Sequence, residues 1–126
     1  EALRGKNVLV VDDDIRNIFA LSSVLERHGM TVATASNGRE AIARVGEGAE
    51  LDLVLMDIMM PGLDGYDTMR AIRAQPDRRT LPIIALTAKA MKGDREKCLE
   101  AGASDYLAKP VVTDQLLGVL RQWLQR

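Results

Sequence analysis

Three consecutive acids, Asp12, Asp13 and Asp14, follow the apolar run VLVV. Asp57 follows LVLM, Thr87 follows PIIAL, and Lys109, with Pro110 behind it, follows DYLA. These residue types can hold a metal ion or do chemistry on phosphorus. Asp12, Asp13 and Asp57 together carry −3, and Lys109 returns +1. Gathered in one place with little water, such a set is costly unless a cation joins it. Carboxylates, backbone carbonyls and water make an all-oxygen donor set, which suits a hard ion such as Mg2+. An ion held that way keeps positions open for phosphate oxygens and neutralises charge on a phosphoryl group in transfer. Asp57 is then the candidate nucleophile, forming an aspartyl phosphate. Thr87 can donate a hydrogen bond to one phosphoryl oxygen, and Lys109 can pair with another.

Taken singly, each residue has a plainer reading. Asp14 is a helix cap, and alone Asp57 would be a loop acid, Thr87 a turn hydroxyl and Lys109 a surface charge. Their joint placement after four separate apolar runs is what argues for a site. His28 closes an amphipathic stretch with no second His or Cys to share a metal, and it is read as structural. Cys98 is read as a small residue on a helix. Nucleotide cradles are not expected, because the chain holds neither a GxxxxGK[ST] loop nor a GxGxxG fingerprint.

The elements that must position these groups follow from the pattern of apolar residues. Five short runs, Asn7–Val11, Thr31–Ala35, Asp52–Met56, Pro82–Leu86 and Asp105–Ala108, are rich in aliphatic residues or bounded by turn residues. Most do not alternate strictly, which predicts strands covered on both faces. Helical periodicity fills the gaps. Asp14 is expected to cap the first helix, which runs to about His28 with Gly29 as its stop. Asn37 or Gly38 opens the second, and Asp64 or Gly65 the third, which ends before Pro76. The fourth spans about Lys92 to Ala101, and Thr113 caps the fifth. Alternation of strand and helix predicts a doubly wound α/β domain with a five-stranded parallel sheet and five helices. In such sheets ligands collect at the carboxyl ends of the strands.

Composition narrows the function classes. The 126 residues suit one domain, with 47% hydrophobic and 28% charged side chains. Only Phe19, Tyr66, Tyr106 and Trp123 are aromatic, so the core must be aliphatic. A net charge of −1 carries no footprint for nucleic acid or for an anionic membrane surface. One cysteine excludes a disulfide framework and suits a reducing cytoplasm. No apolar run approaches the roughly 20 residues of a membrane span. The chain opens on Glu1, so it is expected to be one domain, residues 1–126, cut from a longer protein.

Four ordered segments, VLVVDDD at 8–14, LVLMDIMMPGLDG at 53–65, PIIALTA at 82–88 and DYLAKP at 105–110, resemble the receiver (response-regulator) domain of two-component signalling. The resemblance covers essentially the whole chain. It implies the flavodoxin-like strand order 2-1-3-4-5. It also implies Asp57 as phosphoacceptor, Asp13 as direct Mg2+ ligand, Asp12 acting largely through water, and the Met59 carbonyl as third protein ligand. Thr87 and Lys109 resemble the phosphoryl-contacting pair, Lys109–Pro110 the family's cis peptide that aims the lysine inward, and Tyr106 the aromatic switch. The stretches at 12–26 and 85–111 look most like receivers of hybrid histidine kinases. The implied function is transfer of a phosphoryl group from a phosphohistidine onto Asp57 in a phosphorelay. The domain would be a self-phosphorylating acceptor rather than a turnover enzyme, although its parent chain could be a histidine kinase. The implied partner is a histidine kinase or a histidine phosphotransfer domain, with a monomeric isolated domain and a cytoplasmic location. A stand-alone single-domain regulator is the alternative.

Haloacid-dehalogenase-type phosphatases are a more distant reading. Asp12-x-Asp14 fits their DxD, but Arg16 stands where that family has Thr or Val. An FMN module is disfavoured because three adjacent acids would repel the FMN phosphate. The first helix offers a docking face. Ala20, Leu21, Val24 and Leu25 cluster on one side, and Ile15, Ile18 and Phe19 on roughly the other. A helix on a sheet buries one side, so the longer group is expected inward and Ile15, Ile18 and Phe19 outward beside the acidic rim.

Overall fold

The structure, a computed structural model, describes residues 3–47, 50–60, 62–76, 78–88 and 92–124. Five strands, β1 (Asn7–Val11), β2 (Thr31–Ala35), β3 (Leu53–Asp57), β4 (Ile83–Thr87) and β5 (Asp105–Ala108), alternate with five helices. The helices are α1 (Ile15–Arg27), α2 (Gly38–Gly46), α3 (Gly65–Ala74), α4 (Lys92–Ala101) and α5 (Thr113–Leu124). All four strand pairings are parallel, in the order β2-β1-β3-β4-β5.

Side chains alternate across a strand, so each central strand feeds two cores. Leu9, Val11, Val54, Met56, Ile83 and Ala85 join one core with Ala41, Val45, Met69 and Ile72 from α2 and α3. Val8, Val10, Leu53, Leu55, Ile84 and Leu86 join the other with Leu21 and Leu25 of α1 and Leu116, Leu117 and Leu120 of α5. Burying one such leucine fully is worth about 1.5–3 kcal/mol, which is how cores whose buried apolar side chains are aliphatic hold, with Tyr66, Tyr106 and Trp123 packed only partly against them.

Asx side chains start the first three helices. Asp14 Oδ1 accepts from the Arg16 amide, Asn37 Oδ1 from Glu40 and Asp64 Oδ1 from Asp67. Gly29 (φ 82°) and Gly102 (φ 118°) turn the chain out of α1 and α4 through left-handed conformations.

Three expectations need correction. β3 and β4 each lie one residue further along than the apolar runs suggested, so Asp57 and Thr87 end their strands rather than follow them. Thr113 is the first residue of α5, not its cap. Ile18 is half-buried and packs inward with Leu21 and Leu25, whereas Ala20 is exposed. The inward stripe of α1 is therefore 18, 21 and 25, and only Ile15 and Phe19 face out, 78% and 73% exposed. No helix among the described residues is long and apolar enough to cross a membrane.

Candidate functional site

Strand register brings the predicted site residues together. Val11 pairs with Met56, so Asp12 and Asp57, each one residue on, lie side by side at the ends of the central strands. Asp57 pairs with Leu86 and Thr87 with Ala108, which places Thr87 and Lys109 on the same rim. Lys109 Nζ lies 2.9 Å from Asp57 Oδ1 and 3.3 Å from Asp12 Oδ2. The Lys109–Pro110 peptide is cis. Asp12 Oδ1 accepts the Asp14 amide at 2.9 Å, and Asp57 Oδ1 accepts the Met59 amide at 3.3 Å. Among the described residues nothing donates to Asp57 Oδ2, which leaves that oxygen available for reaction.

Asp12 and Asp57 are almost fully buried, and Asp13 is exposed at the mouth. Burial is the main cause holding the Asp57 carboxyl above its ordinary pKa, and the charge of Asp12 adds to it. The hydrogen bond and charge of Lys109 offset only part of the rise. Burial pulls the Lys109 ammonium down, but its contacts with Asp57 and Asp12 outweigh that and leave it raised. The site is thus short of positive charge. Oxygens of Asp12, Asp13 and Asp57 all lie within 4.8 Å of one another, a donor set that fits a hard divalent ion.

Tyr106 is half-buried against the core beneath α4, and the Arg95 guanidinium lies over its ring, 5.9 Å from the centroid. Ile15, Phe19, Met59 and Val112 are large apolar side chains left exposed on α1 and on the loops after β3 and β5. His28 caps α1, its Nδ1 3.0 Å from the Val24 carbonyl oxygen, and takes no part in the site. Cys98 is buried on α4, its thiol pushed up by burial.

The sequence reading missed the salt bridge by which Arg16 grips both oxygens of Asp14 at the rim. The two Arg16 hydrogen bonds and the Arg16 charge hold the Asp14 carboxyl below its ordinary pKa. An i, i+2 charge pair after a strand was the available signal. The Arg95–Tyr106 stack was also missed, and no sequence spacing marks it.

A family model described as response regulator receiver domain matches residues 8–121. The sensor protein GacS of Pseudomonas syringae pv. syringae is 41% identical over 123 residues, which cover 95% of this chain and 14% of GacS. The chain thus spans a small part of that relative's length. The receiver domain of the sensor histidine kinase PA1611 from Pseudomonas aeruginosa PAO1 was solved with a magnesium ion in its active site cleft. It superposes with a TM-score of 0.89 at 42% identity, over 97% of this chain and 99% of its own. The Saccharomyces cerevisiae co-crystal structure of the phosphotransfer protein Ypd1 with the receiver domain of Ssk1 also matches. It gives a TM-score of 0.88 at 33% identity, covering 95% of this chain and 89% of the matched chain.

Proposed function

The chain belongs to the response regulator receiver domains of two-component systems, and on that footing we propose that Asp57 accepts a phosphoryl group from a phosphohistidine. The observation that carries the reading is Lys109 bridging two buried carboxylates, one of which keeps an oxygen that accepts no hydrogen bond from the described residues. Asp12, Asp13 and Asp57 would hold Mg2+, with the Met59 carbonyl as the further ligand that the family resemblance implies. When bound, the ion supplies positive charge against the phosphoryl group.

The remaining roles fall to the chain's own residues. Asp57 Oδ2 attacks phosphorus while the N–P bond of the donor breaks, and the imidazole nitrogen keeps the electron pair. Lys109, already 2.9 Å from Oδ1, turns to pair with a phosphoryl oxygen. The Thr87 hydroxyl donates to another. Drawing Thr87 toward Asp57 opens room for the Tyr106 ring to turn inward, a two-state element biased by a local charge event.

In this reading residues 1–126 are one receiver domain within a hybrid sensor kinase, working on the cytoplasmic side in a phosphorelay. Similarity to the GacS receiver supports that setting. The partner is a helix bundle that presents its histidine over Asp57 and rests on the exposed Ile15 and Phe19.

The test is labelling with a small acyl phosphate, with and without EDTA, followed by mapping of the modified residue. One phosphoryl group on Asp57, lost in EDTA and in Asp57→Asn, is expected. Undiminished labelling of Asp57→Asn would overturn the assignment, and full labelling in EDTA would remove the metal from it.

A further inference from the structure

We infer that Gly65 is a positioning residue for the phosphoacceptor: lacking a side chain, it lets the start of α3 lie directly on the Asp57–Ile58 backbone. The inference rests on the reading of Asp57 as acceptor. A methyl group at position 65 would stand 2.5 Å from the Asp57 carbonyl oxygen and 2.6 Å from Ile58 Cα. Both are backbone atoms at the end of a buried central strand, so neither can swing aside as a side-chain tip would. Gly65 has no left-handed φ, so the need is for space and not for backbone freedom.

The contact ties the start of α3 to the end of β3. The Gly65 amide donates to the Ile58 carbonyl at 3.1 Å, fastening residue 65 back onto residue 58. Between them runs the segment whose Met59 amide reaches the Asp57 carboxylate at 3.3 Å. That bond is already at the long end of the useful range. Restoring an ordinary contact of about 3.5 Å at position 65 means moving α3 from the strand by about 1 Å. The loop would carry the Met59 amide away with it.

Three proteins are compared: wild type, Gly65→Ala, and Gly102→Ala as a control. An added methyl at residue 102 meets the Arg73 side chain and a left-handed backbone, at the opposite end of the sheet from Asp57. Mg2+ affinity is followed by titration of amide shifts, and Asp57 labelling by its rate with an acyl phosphate, both at a temperature below the melting onset of all three proteins. Gly65→Ala is expected to bind Mg2+ about tenfold more weakly. Its labelling should slow by up to about a hundredfold. Gly102→Ala should match wild type in both while losing thermal stability. A folded Gly65→Ala with wild-type affinity and rate overturns the inference, and so does an equal loss of both in Gly102→Ala. Failure of wild type itself to label on Asp57 overturns the acceptor reading instead. Should Gly65→Ala not fold, hydrogen exchange on wild type decides. If the contact favours ion binding, ion binding must favour the contact by the same factor. Mg2+ should then slow the Gly65 amide more than the Ala41 amide of α2, which bonds the carbonyl of the cap residue Asn37. Slowing no greater than at Ala41 overturns the inference.

Discussion

Thr87 and Tyr106 share a face of the sheet. Ala85 pairs with Tyr106, and Thr87 is two residues beyond Ala85 on the same strand, so both side chains project toward the α4 side. That placement makes the threonine hydroxyl the mechanical link in the proposed switch. Thr87→Ala should still accept a phosphoryl group, at a rate reduced by about tenfold for want of one hydrogen bond. Its Tyr106 ring resonances should stay in their unphosphorylated positions when a phosphoryl mimic is added. An NMR shift of Tyr106 equal to that of wild type would place the coupling elsewhere. Asp12, Asp57, Thr87 and Lys109 were legible in the sequence because each stands at the end of an apolar run, and the run itself names the strand. Arg95 over Tyr106 was not, since that contact depends on how α4 lies across β5.

Helices and strands were legible as elements, and their registration was less so. The run counted from Asp52 and Pro82 began one residue early, for two local reasons. The Asp52 side chain turns back to accept the Asn7 amide at 2.7 Å. Pro82 has no amide to give a ladder and serves only as acceptor for Val54. In α1 the apolar residues are spread round so much of the circumference that periodicity admitted two stripes. Packing against β1, β3 and α5 chose the one containing Ile18. The consequence for docking is specific. Ile18→Asp would put a charge into the core, so the clean probe of the partner surface is the double change Ile15→Asp with Phe19→Asp. Both side chains are exposed, so the melting temperature should hardly move. Transfer from a phosphohistidine domain should fall about thirtyfold, the loss of about 2 kcal/mol typical of an interface anchor. Acyl-phosphate labelling should be unchanged. Equal transfer before and after the substitution would remove α1 as the docking face.

Across the whole molecule, the end of the sheet away from the acidic rim is tied by one guanidinium. Arg73 of α3 donates to the carbonyls of Gly102, Arg78 and Leu81 at 2.9, 2.7 and 2.6 Å, and to Ser104 Oγ at 3.3 Å. Burial holds its pKa below the ordinary arginine value. Beside it, Gln75 and Arg78 donate to the Ile42 and Val45 carbonyls near the end of α2. α2, α3 and the α4–β5 turn are thereby braced as one layer at the end of the sheet away from the acidic rim. Arg73→Met leaves several carbonyls without donors and should cost about 3 kcal/mol, read as a lower urea midpoint with an unchanged slope. Arg73→Lys should recover little of it, because an ammonium cannot reproduce the planar fork. A loss below about 0.5 kcal/mol, the scatter of ordinary surface changes, would count against the brace. At the same end Trp123, the only tryptophan, donates from Nε1 to Asp105 Oδ2 at 3.1 Å. The other Asp105 oxygen accepts the Tyr106 amide at 2.8 Å. Asp105 opens β5 and Lys109 follows its close, a run of roughly 13 Å at about 3.3 Å per residue. The indole is therefore an optical probe set apart from the acidic rim yet bonded to Asp105, the neighbour of Tyr106, the proposed switch. A change in its emission on the proposed phosphorylation of Asp57 would measure how far a rearrangement at the rim travels down β5.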